Sequence, residues 1–226
     1  MENASKALIM AAGILIALII LGALILMFSN LSNYQDTNIQ TDREAQIVEF
    51  NNQYVTYDRN DVRGNELISL LNKVVDYNSR KTGDTSDEKY QKMEIMVNGI
   101  PPANFKYEDS DKSLIKSSYT QDNVKNNLLD KVQKIEQKYE TKYISQLVSN
   151  ISNIMDTDKG QAKAEEILPK ALNKYTGGFS QIKKETQTYY QYSQFKKAYF
   201  DCVYREYNGN TGRIFYMEFQ FIKIGD

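Results

Sequence analysis

The sequence contains no histidine and only one cysteine, Cys202. Without imidazole the commonest general base is missing, and without a second thiol an intrachain disulfide is excluded. The same two shortages exclude Ser-His and Cys-His nucleophile pairs and zinc sites of the usual composition. The basic surplus of a dedicated nucleic-acid binder is also missing, because 28 Lys and Arg residues face 29 Asp and Glu residues. We therefore expect no nucleic acid partner, no metal and no small-molecule cofactor, and an enzyme is the least favoured class of function.

Charge is absent from one long segment, residues 7–28, with the sequence ALIMAAGILIALIILGALILMF. A helix of this length, at about 1.5 Å per residue, can cross the roughly 30 Å hydrocarbon core of a bilayer. A cleaved secretory signal is the alternative, but its apolar stretch has about 7–15 residues and precedes a small-residue cleavage site. The pattern predicts a retained transmembrane helix with the bilayer as first partner. Its predicted anchor residues are Ala7, Leu8, Ile14, Leu18, Leu21, Leu26 and Phe28.

The charges that flank this segment predict its orientation. Lys6 and the terminal amine precede it, whereas the next cation after it is Arg43. Because basic flanks tend to stay on the cytoplasmic side, residues 1–6 are predicted to be cytoplasmic and the chain after Ser29 is predicted to be exported. The predicted localisation is therefore the cell membrane, with a single span and the folded domain outside.

Residues 29–60 predict a stalk or a solvated continuation of the anchor helix. The first part is too polar to pack, and helical spacing of apolar residues then resumes. The turn-forming sequence DRNDVRG interrupts the pattern, and Asp61 or Asn65 is expected to cap the next helix. The two predicted apolar stripes are Ile47, Phe50, Tyr54 and Tyr57, and then Leu67, Leu70, Leu71, Val74 and Asn78.

Residues 61–226 predict an extracytoplasmic α+β domain, rich in helix, with a small antiparallel sheet and a C-terminal hairpin. A strand is expected at 90–97, and helices at 120–154, with a break near Thr141, and at 160–175. Aromatic residues are dense and alternate after Tyr189, and NGNTG is a hairpin turn signal. The predicted core-facing positions of the hairpin are Ala198, Phe200, Cys202 and Tyr204 on one strand and Phe215, Met217, Phe219 and Phe221 on the other.

Two candidate chemical sites fail on spacing or surroundings. Asp156, Asp158 and Gly160 resemble the start of a calcium loop, but the glycine falls at position 5 instead of 6, and Ile167 stands at position 12. A solvated helix start is favoured there. For Cys202, a buried thiol that packs as a small apolar residue is favoured over a nucleophile, since no histidine exists to activate it.

The 17 tyrosines suggest a binding surface, because tyrosine combines an apolar face with one polar group. The possible partner surface consists of Tyr189, Tyr190, Tyr192 and Tyr199. The alternative is that these residues fill the boundary of a strand-rich core. The nearby lysine pairs are interpreted as a solvated face, because acidic residues lie beside them.

The opening MENASKALIMAAGILIALIILGALILMF and the segment IVEFNNQYVTYDRNDVRGNELISLLNKVVDYN resemble single-span membrane proteins of clostridial bacteria, whose architecture is similar to that of type IV pilin-like proteins. FNNQY and DVRGNELISLLNKVV are the most specific stretches. The resemblance implies an apolar helix for membrane storage and filament packing, with a head of helices and antiparallel sheet. A pilin-type leader has a glycine before the apolar run and a glutamate at its fifth position, whereas Lys6, Met10 and Ala11 stand at these places here.

Two classes of function stay open. The first is a membrane-anchored structural protein, pilin-like or part of a cell-envelope apparatus, which packs against copies of itself or against other proteins. The second is a membrane-anchored binding module, in which a tyrosine-rich sheet contacts a wall polymer, a peptide or a protein.

Overall fold

The computed structural model describes residues 2–80, 91–101, 117–168 and 178–225, apart from the side chains of residues 2, 36 and 37. It has an α+β fold with a long N-terminal apolar helix and a mixed five-stranded sheet. The chain divides into two compact units, Met1–Phe50 and Asn51–Asp226. Each unit is described by itself.

The first unit consists of helix α1, whose full range is Glu2–Val55. The predicted anchor and the polar segment after it therefore form one continuous helix, as the second of the two alternatives predicted. The apolar side chains of residues 7–28 are solvent-exposed, with Leu8 74% exposed and Phe28 75% exposed. Within the described residues, α1 is the one helix long and apolar enough to cross a membrane, a criterion of length and composition that a signal sequence also meets.

The second unit starts with the last turn of α1 and continues through strand β1, Val62–Arg63, into helix α2, Gly64–Ser79. The predicted caps Asp61 and Asn65 were wrong, because the N-cap is Arg63. Its backbone N–H donates to the Glu66 carboxylate at 2.9 Å. The start of α2 is fixed at a glycine for a steric reason: a Cβ on Gly64 would lie 1.6 Å from the carbonyl oxygen of Phe195.

The predicted stripe of α2 is the part of the helix that packs, since Leu67, Leu70, Leu71 and Val74 are fully buried. Asn78, at the end of that stripe, pairs with the backbone of Met93. Its amide nitrogen donates to the Met93 carbonyl at 2.7 Å, and its amide oxygen accepts from the Met93 N–H at 2.9 Å. These bonds hold the chain directly before strand β2, Glu94–Asn98. Residue 90, the start of the predicted strand, lies outside the described residues.

A series of short helices forms the middle of the unit. In chain order the elements are strand β3 (Ser118–Thr120), α3 (Gln121–Val124), a π-helical turn (Lys125–Leu129), α4 (Asp130–Lys138), α5 (Thr141–Ser149), α6 (Ile151–Met155) and α7 (Gly160–Ile167). The expected break near Thr141 is confirmed, because Tyr139 leaves the helical conformation with φ −109° and ψ 141°. Residues 169–175 of the last predicted helix lie outside the described residues.

Helix α8, Gly178–Lys197, precedes strands β4, Ala198–Tyr207, and β5, Ile214–Ile224. The strand-like interpretation of residues 189–197 was therefore wrong. Tyrosine is frequent in strands, but that preference is weak compared with burial of apolar side chains in tertiary contacts. Here helical spacing lets α8 bury Ile182, Thr186 and Phe195 completely. The predicted hairpin of β4 and β5 is confirmed, but its strict alternation is not. The register shifts at three places, and Phe215, predicted to face the core, is unpaired at one of them and only half-buried.

The sheet has the strand order β1-β4-β5-β2-β3. The small antiparallel sheet predicted from the sequence is corrected to a mixed sheet, because β2 pairs with β5 in the parallel direction. Parallel neighbours need a long crossover connection, and here the chain between Asn98 and Ile214 includes α3 to α8. The inner face of the sheet is defined by its fully buried side chains: Ile95, Val97, Phe200, Met217 and Phe219.

Candidate interaction surface

A β-bulge in β4 determines which tyrosines point away from the core. The register pairs Cys202 with Phe219 but Tyr204 with Glu218, so β4 advances two residues while β5 advances one. The extra residue is Val203, and an inserted residue moves every following side chain to the opposite face. Tyr204, predicted to face the core, therefore points outward and is 50% exposed.

The outer face of the sheet, opposite the buried side chains, carries two aligned rows of residues across β2, β5 and β4. Glu94, Tyr216 and Glu206 are paired in the first row. Met96, Glu218 and Tyr204 are paired in the second row. We name the five acidic and tyrosine residues of these rows the acidic tyrosine patch: Glu94, Tyr204, Glu206, Tyr216 and Glu218.

The two tyrosines of the patch contact each other. Their ring centroids lie 5.9 Å apart at an interplanar angle of 61°, an edge-on arrangement that aromatic pairs favour. Burial raises the pKa of Tyr216, and the neighbouring Glu218 and Glu94 carboxylates raise it further. Burial is the largest cause of this rise in pKa, and the two carboxylates add negative charge beside the ring. Asn98 donates to Glu218, which fixes one of the carboxylates in the patch.

Tyr199 lies at a different, basic part of the outer face. It is paired with Arg63 of β1 and with Lys223 of β5. The Arg63 guanidinium lies 5.7 Å from the centre of its ring, and the Lys223 ammonium lies 5.5 Å from it. A Cβ on Gly225 would come within 2.8 Å of the same ring. Tyr199 is therefore half-buried among groups of its own chain.

The other three predicted surface tyrosines, Tyr189, Tyr190 and Tyr192, lie on α8 and not on the sheet. The Tyr189 hydroxyl donates to Glu136 of α4 at 3.2 Å, and its ring contacts Tyr192 edge-on at 5.8 Å. Burial is the main cause of a raised pKa for all three tyrosines. The four predicted residues thus do not form one surface, and those on α8 are half-buried at the boundary of the helical core.

The same boundary contains a carboxylate that the sequence did not reveal. Glu185 of α8 accepts from the Lys138 ammonium at 2.8 and 2.9 Å and from the Tyr139 hydroxyl at 2.5 Å. Gln181 donates to it at 2.8 Å. Burial opposes ionisation of Glu185, but the three donors outweigh burial and hold the pKa of the carboxyl below its usual value. The arrangement joins α4 to α8 and is a structural ion pair.

Of the two candidates for chemistry, Asp156 is exposed at a turn, and Cys202 is half-buried where a buried thiol was predicted. Asp156 accepts from the backbone N–H groups of Asp158 and Lys159 at 2.9 Å each, and these bonds lower the pKa of its carboxyl. It forms the turn before α7. Burial raises the pKa of the Cys202 thiol, which disfavours the nucleophilic thiolate. Among the residues that the structure describes, no group of three or more Cys, Asp or Glu side chains could hold a metal ion.

Comparisons of the chain with protein-family models, with curated proteins and with solved structures found no match. Sequence reasoning found Tyr199 on an outward-facing position but missed Tyr204 and Tyr216. The alternation of residues 214–224 contained the position of Tyr216, since it alternates with the buried Met217; the position of Tyr204 depends on the bulge.

Proposed function

We propose that this protein is a single-pass, membrane-anchored structural protein of the cell envelope, pilin-like or a subunit of an envelope apparatus. The observation that supports the proposal is the exposed, uncharged surface of α1 over residues 7–28. Burial of one large aliphatic side chain contributes about 1.5–3 kcal/mol. Repeated over this segment, that gain favours a lipid environment strongly over water.

The second unit is the part of the protein that meets partners in this proposal. With the amino terminus in the cytoplasm, it lies outside the cell, and copies of the chain or other envelope proteins bind it. The pilin-like form of the proposal adds filament packing through α1. It draws on the resemblance of the opening sequence, on the long α1 and on the head of helices and sheet.

Anchoring is tested by extraction of membranes with alkaline carbonate, followed by mass spectrometry of the protein that stays in the pellet. We expect the intact segment 7–28 in the pellet fraction. A mature protein that starts near Asn30 and appears in the supernatant would contradict the anchor. Cleavage inside the first dozen residues, with the apolar run retained, would favour the pilin-like form.

Orientation is tested with a protease added to cells from which the wall has been removed. In intact cells we expect the protease to cleave the protein within residues 80–88, because the proposal places these residues outside the cell. Protection that disappears once the membrane is opened would put the second unit in the cytoplasm. Chemical cross-linking of the same cells, followed by microscopy, distinguishes filaments from smaller membrane complexes.

A membrane-anchored binding module is the second candidate function. The outward-facing pair Tyr204 and Tyr216 supports it, because the described contacts of these two rings are with each other and with acidic neighbours. In this form the outer face of the sheet binds a partner. The occupant of that face then decides what the protein does.

A further inference from the structure

We infer that the acidic tyrosine patch on the outer sheet face docks an extended, lysine- or arginine-bearing segment of another protein. The inference deepens the binding-module candidate and rests on that proposed function, because it names the surface and the partner's chemistry. It does not depend on how the first unit is anchored.

The patch carries negative charge that the described part of the chain does not neutralise with an ion pair. Glu94 and Glu206 are exposed and form no ion pair within the described part of the chain. The other outer positions near them on β2, β5 and β4 carry Met96, Asn98, Gln220 and Asp201, none of which is basic. Three carboxylates therefore share this surface with no cation at the paired positions, and a cationic partner supplies what they lack.

The rows of the sheet place carboxylates beside the tyrosine rings. Tyr216 of β5 stands between Glu94 of β2 and Glu206 of β4, each on a directly neighbouring strand. Neighbouring strands lie about 4.8 Å apart, so both carboxylates are within reach of an ammonium or guanidinium group that rests on the tyrosine ring. In the second row Glu218 stands beside Tyr204 in the same way. Each tyrosine thus offers an aromatic face with an acidic neighbour.

The chain itself uses this pairing elsewhere, which shows that the geometry is accessible to its tyrosines. Lys73 lies over Tyr54 at 5.3 Å, Lys196 over Tyr192 at 5.4 Å, and Arg205 over Tyr207 at 5.1 Å. Within the described residues, the rings of Tyr204 and Tyr216 contact each other instead of a cation. Tyr204 is 50% exposed beside an exposed Val203, and Tyr216, whose ring contacts it, is partly exposed.

An extended partner fits the patch better than a compact one. The two rows of the patch lie two residues apart along β2, β4 and β5, about 6.8 Å, which is also the distance between successive side chains on one face of an extended segment. Basic residues at alternate positions of such a segment then point toward the sheet while the others point to solvent.

The test uses the full chain in nonionic detergent and a fluorescein-labelled peptide of alternating lysine and threonine, with an alternating glutamate and threonine peptide as the charge control. We expect saturable binding of the lysine peptide by fluorescence anisotropy and no binding of the glutamate peptide. Equal binding of both peptides, or no binding of the lysine peptide, would overturn the inference.

Variants locate the binding. The double variant Glu94→Gln with Glu206→Gln should bind the lysine peptide at least about tenfold more weakly, because two charges are removed at the patch. The matched control is Glu140→Gln with Glu165→Gln, which removes two exposed charges, one at the N-cap of α5 and one in α7. Equal losses in both double variants would mean attraction to net charge alone, and the inference would be wrong.

The tyrosine contribution is separated by two substitutions of one residue. Tyr216→Leu should weaken binding about two- to fivefold, whereas Tyr216→Phe, which keeps the aromatic face, should bind as the unchanged protein does. Equal binding by all three would contradict the role of the ring. Circular dichroism melts verify that the variants are folded, and carbonate extraction of the same proteins tests anchoring separately, so the two proposals fail independently.

Discussion

Leucine is used in opposite ways in the two units of this protein. In α1, Leu8 and Leu18 are 74% and 63% exposed, whereas Leu67, Leu70 and Leu71 of α2 are fully buried. The difference lies in the pattern and not in the residue. Residues 7–28 are apolar on every side of the helix, but α2 is apolar along one stripe and polar elsewhere. A helix with a single stripe covers a protein core, whereas a helix that is apolar all round needs apolar surroundings on every side, in protein or in lipid.

The largest effect is expected at the inner face of the sheet, which should behave as the core of the second unit. Phe219→Asp places a carboxylate at a completely buried position, which costs several kcal/mol and is comparable with the whole stability of a typical domain. We expect the second unit to lose its cooperative unfolding transition in circular dichroism melts of the full chain in detergent. Phe219→Leu is the control and should keep a transition. A wild-type melt for the aspartate variant would mean that water reaches this face.

The leucine comparison is tested directly by one substitution in each unit. Leu70→Ala should destabilise the second unit by about 2–5 kcal/mol, since it removes a buried side chain and leaves a cavity. Leu18→Ala, in the exposed apolar segment, should leave the same unfolding transition unchanged. Denaturant titrations of both variants measure the two free energies of unfolding. Equal losses would contradict the separation into two differently solvated units.

The Glu185 ion pair should make the stability of the second unit depend on pH. Its folded pKa lies below the usual value, so the carboxylate stabilises the fold above the unfolded pKa, about 4.3, and this stabilisation is lost as pH falls through the folded pKa. Melting temperatures should therefore fall below pH 4 in the unchanged protein. The Glu185→Gln variant should have a lower melting temperature at pH 7, and its melting temperature should decrease less at acid pH. Parallel pH curves for the two proteins would exclude Glu185 as a source of acid sensitivity.

The smallest effect is expected at the outer face of the sheet. Tyr204→Ser should change the free energy of unfolding by no more than about 0.5 kcal/mol, as is usual for exposed positions. Its neighbour on the inner face, Phe200, should behave as a core residue when replaced by alanine and cost about 3–5 kcal/mol. Similar losses at both positions would mean that the Val203 bulge does not turn Tyr204 outward.

The sequence was informative where a structural pattern is local. Helical spacing from Leu67 to Val74 predicted the buried stripe of α2, and alternation from Met217 to Phe221 predicted the buried face of β5. Residues 189–197 were misinterpreted because tyrosine suits strands and half-buried helices alike. Contacts between distant residues were not predictable in this way. The parallel pairing of β2 with β5 joins residues more than a hundred positions apart, and no local period encodes it.

The candidate surface was predictable only in part for a related reason. Strict alternation from Ala198 put Tyr204 on the core side, and a single unpaired residue, Val203, reverses that assignment. The acidic neighbours come from β2 and β5, so their position beside the tyrosines follows from strand order and register. Tyr199 precedes the bulge, and its outward position followed from alternation alone.

The strand order has a consequence for how the second unit is made. The strand β5 stands in the middle of the sheet, between β4 and β2, yet it is synthesised after all the other described strands. Until β5 emerges, β2 and β3 form a pair that lacks its central neighbour, and β4 has no hairpin partner. Sheet assembly must then wait for nearly the whole chain, and such late, long-range pairing is intrinsically slow. Until β5 is available, the incomplete sheet exposes unpaired strand edges, which are sites where unfinished chains aggregate.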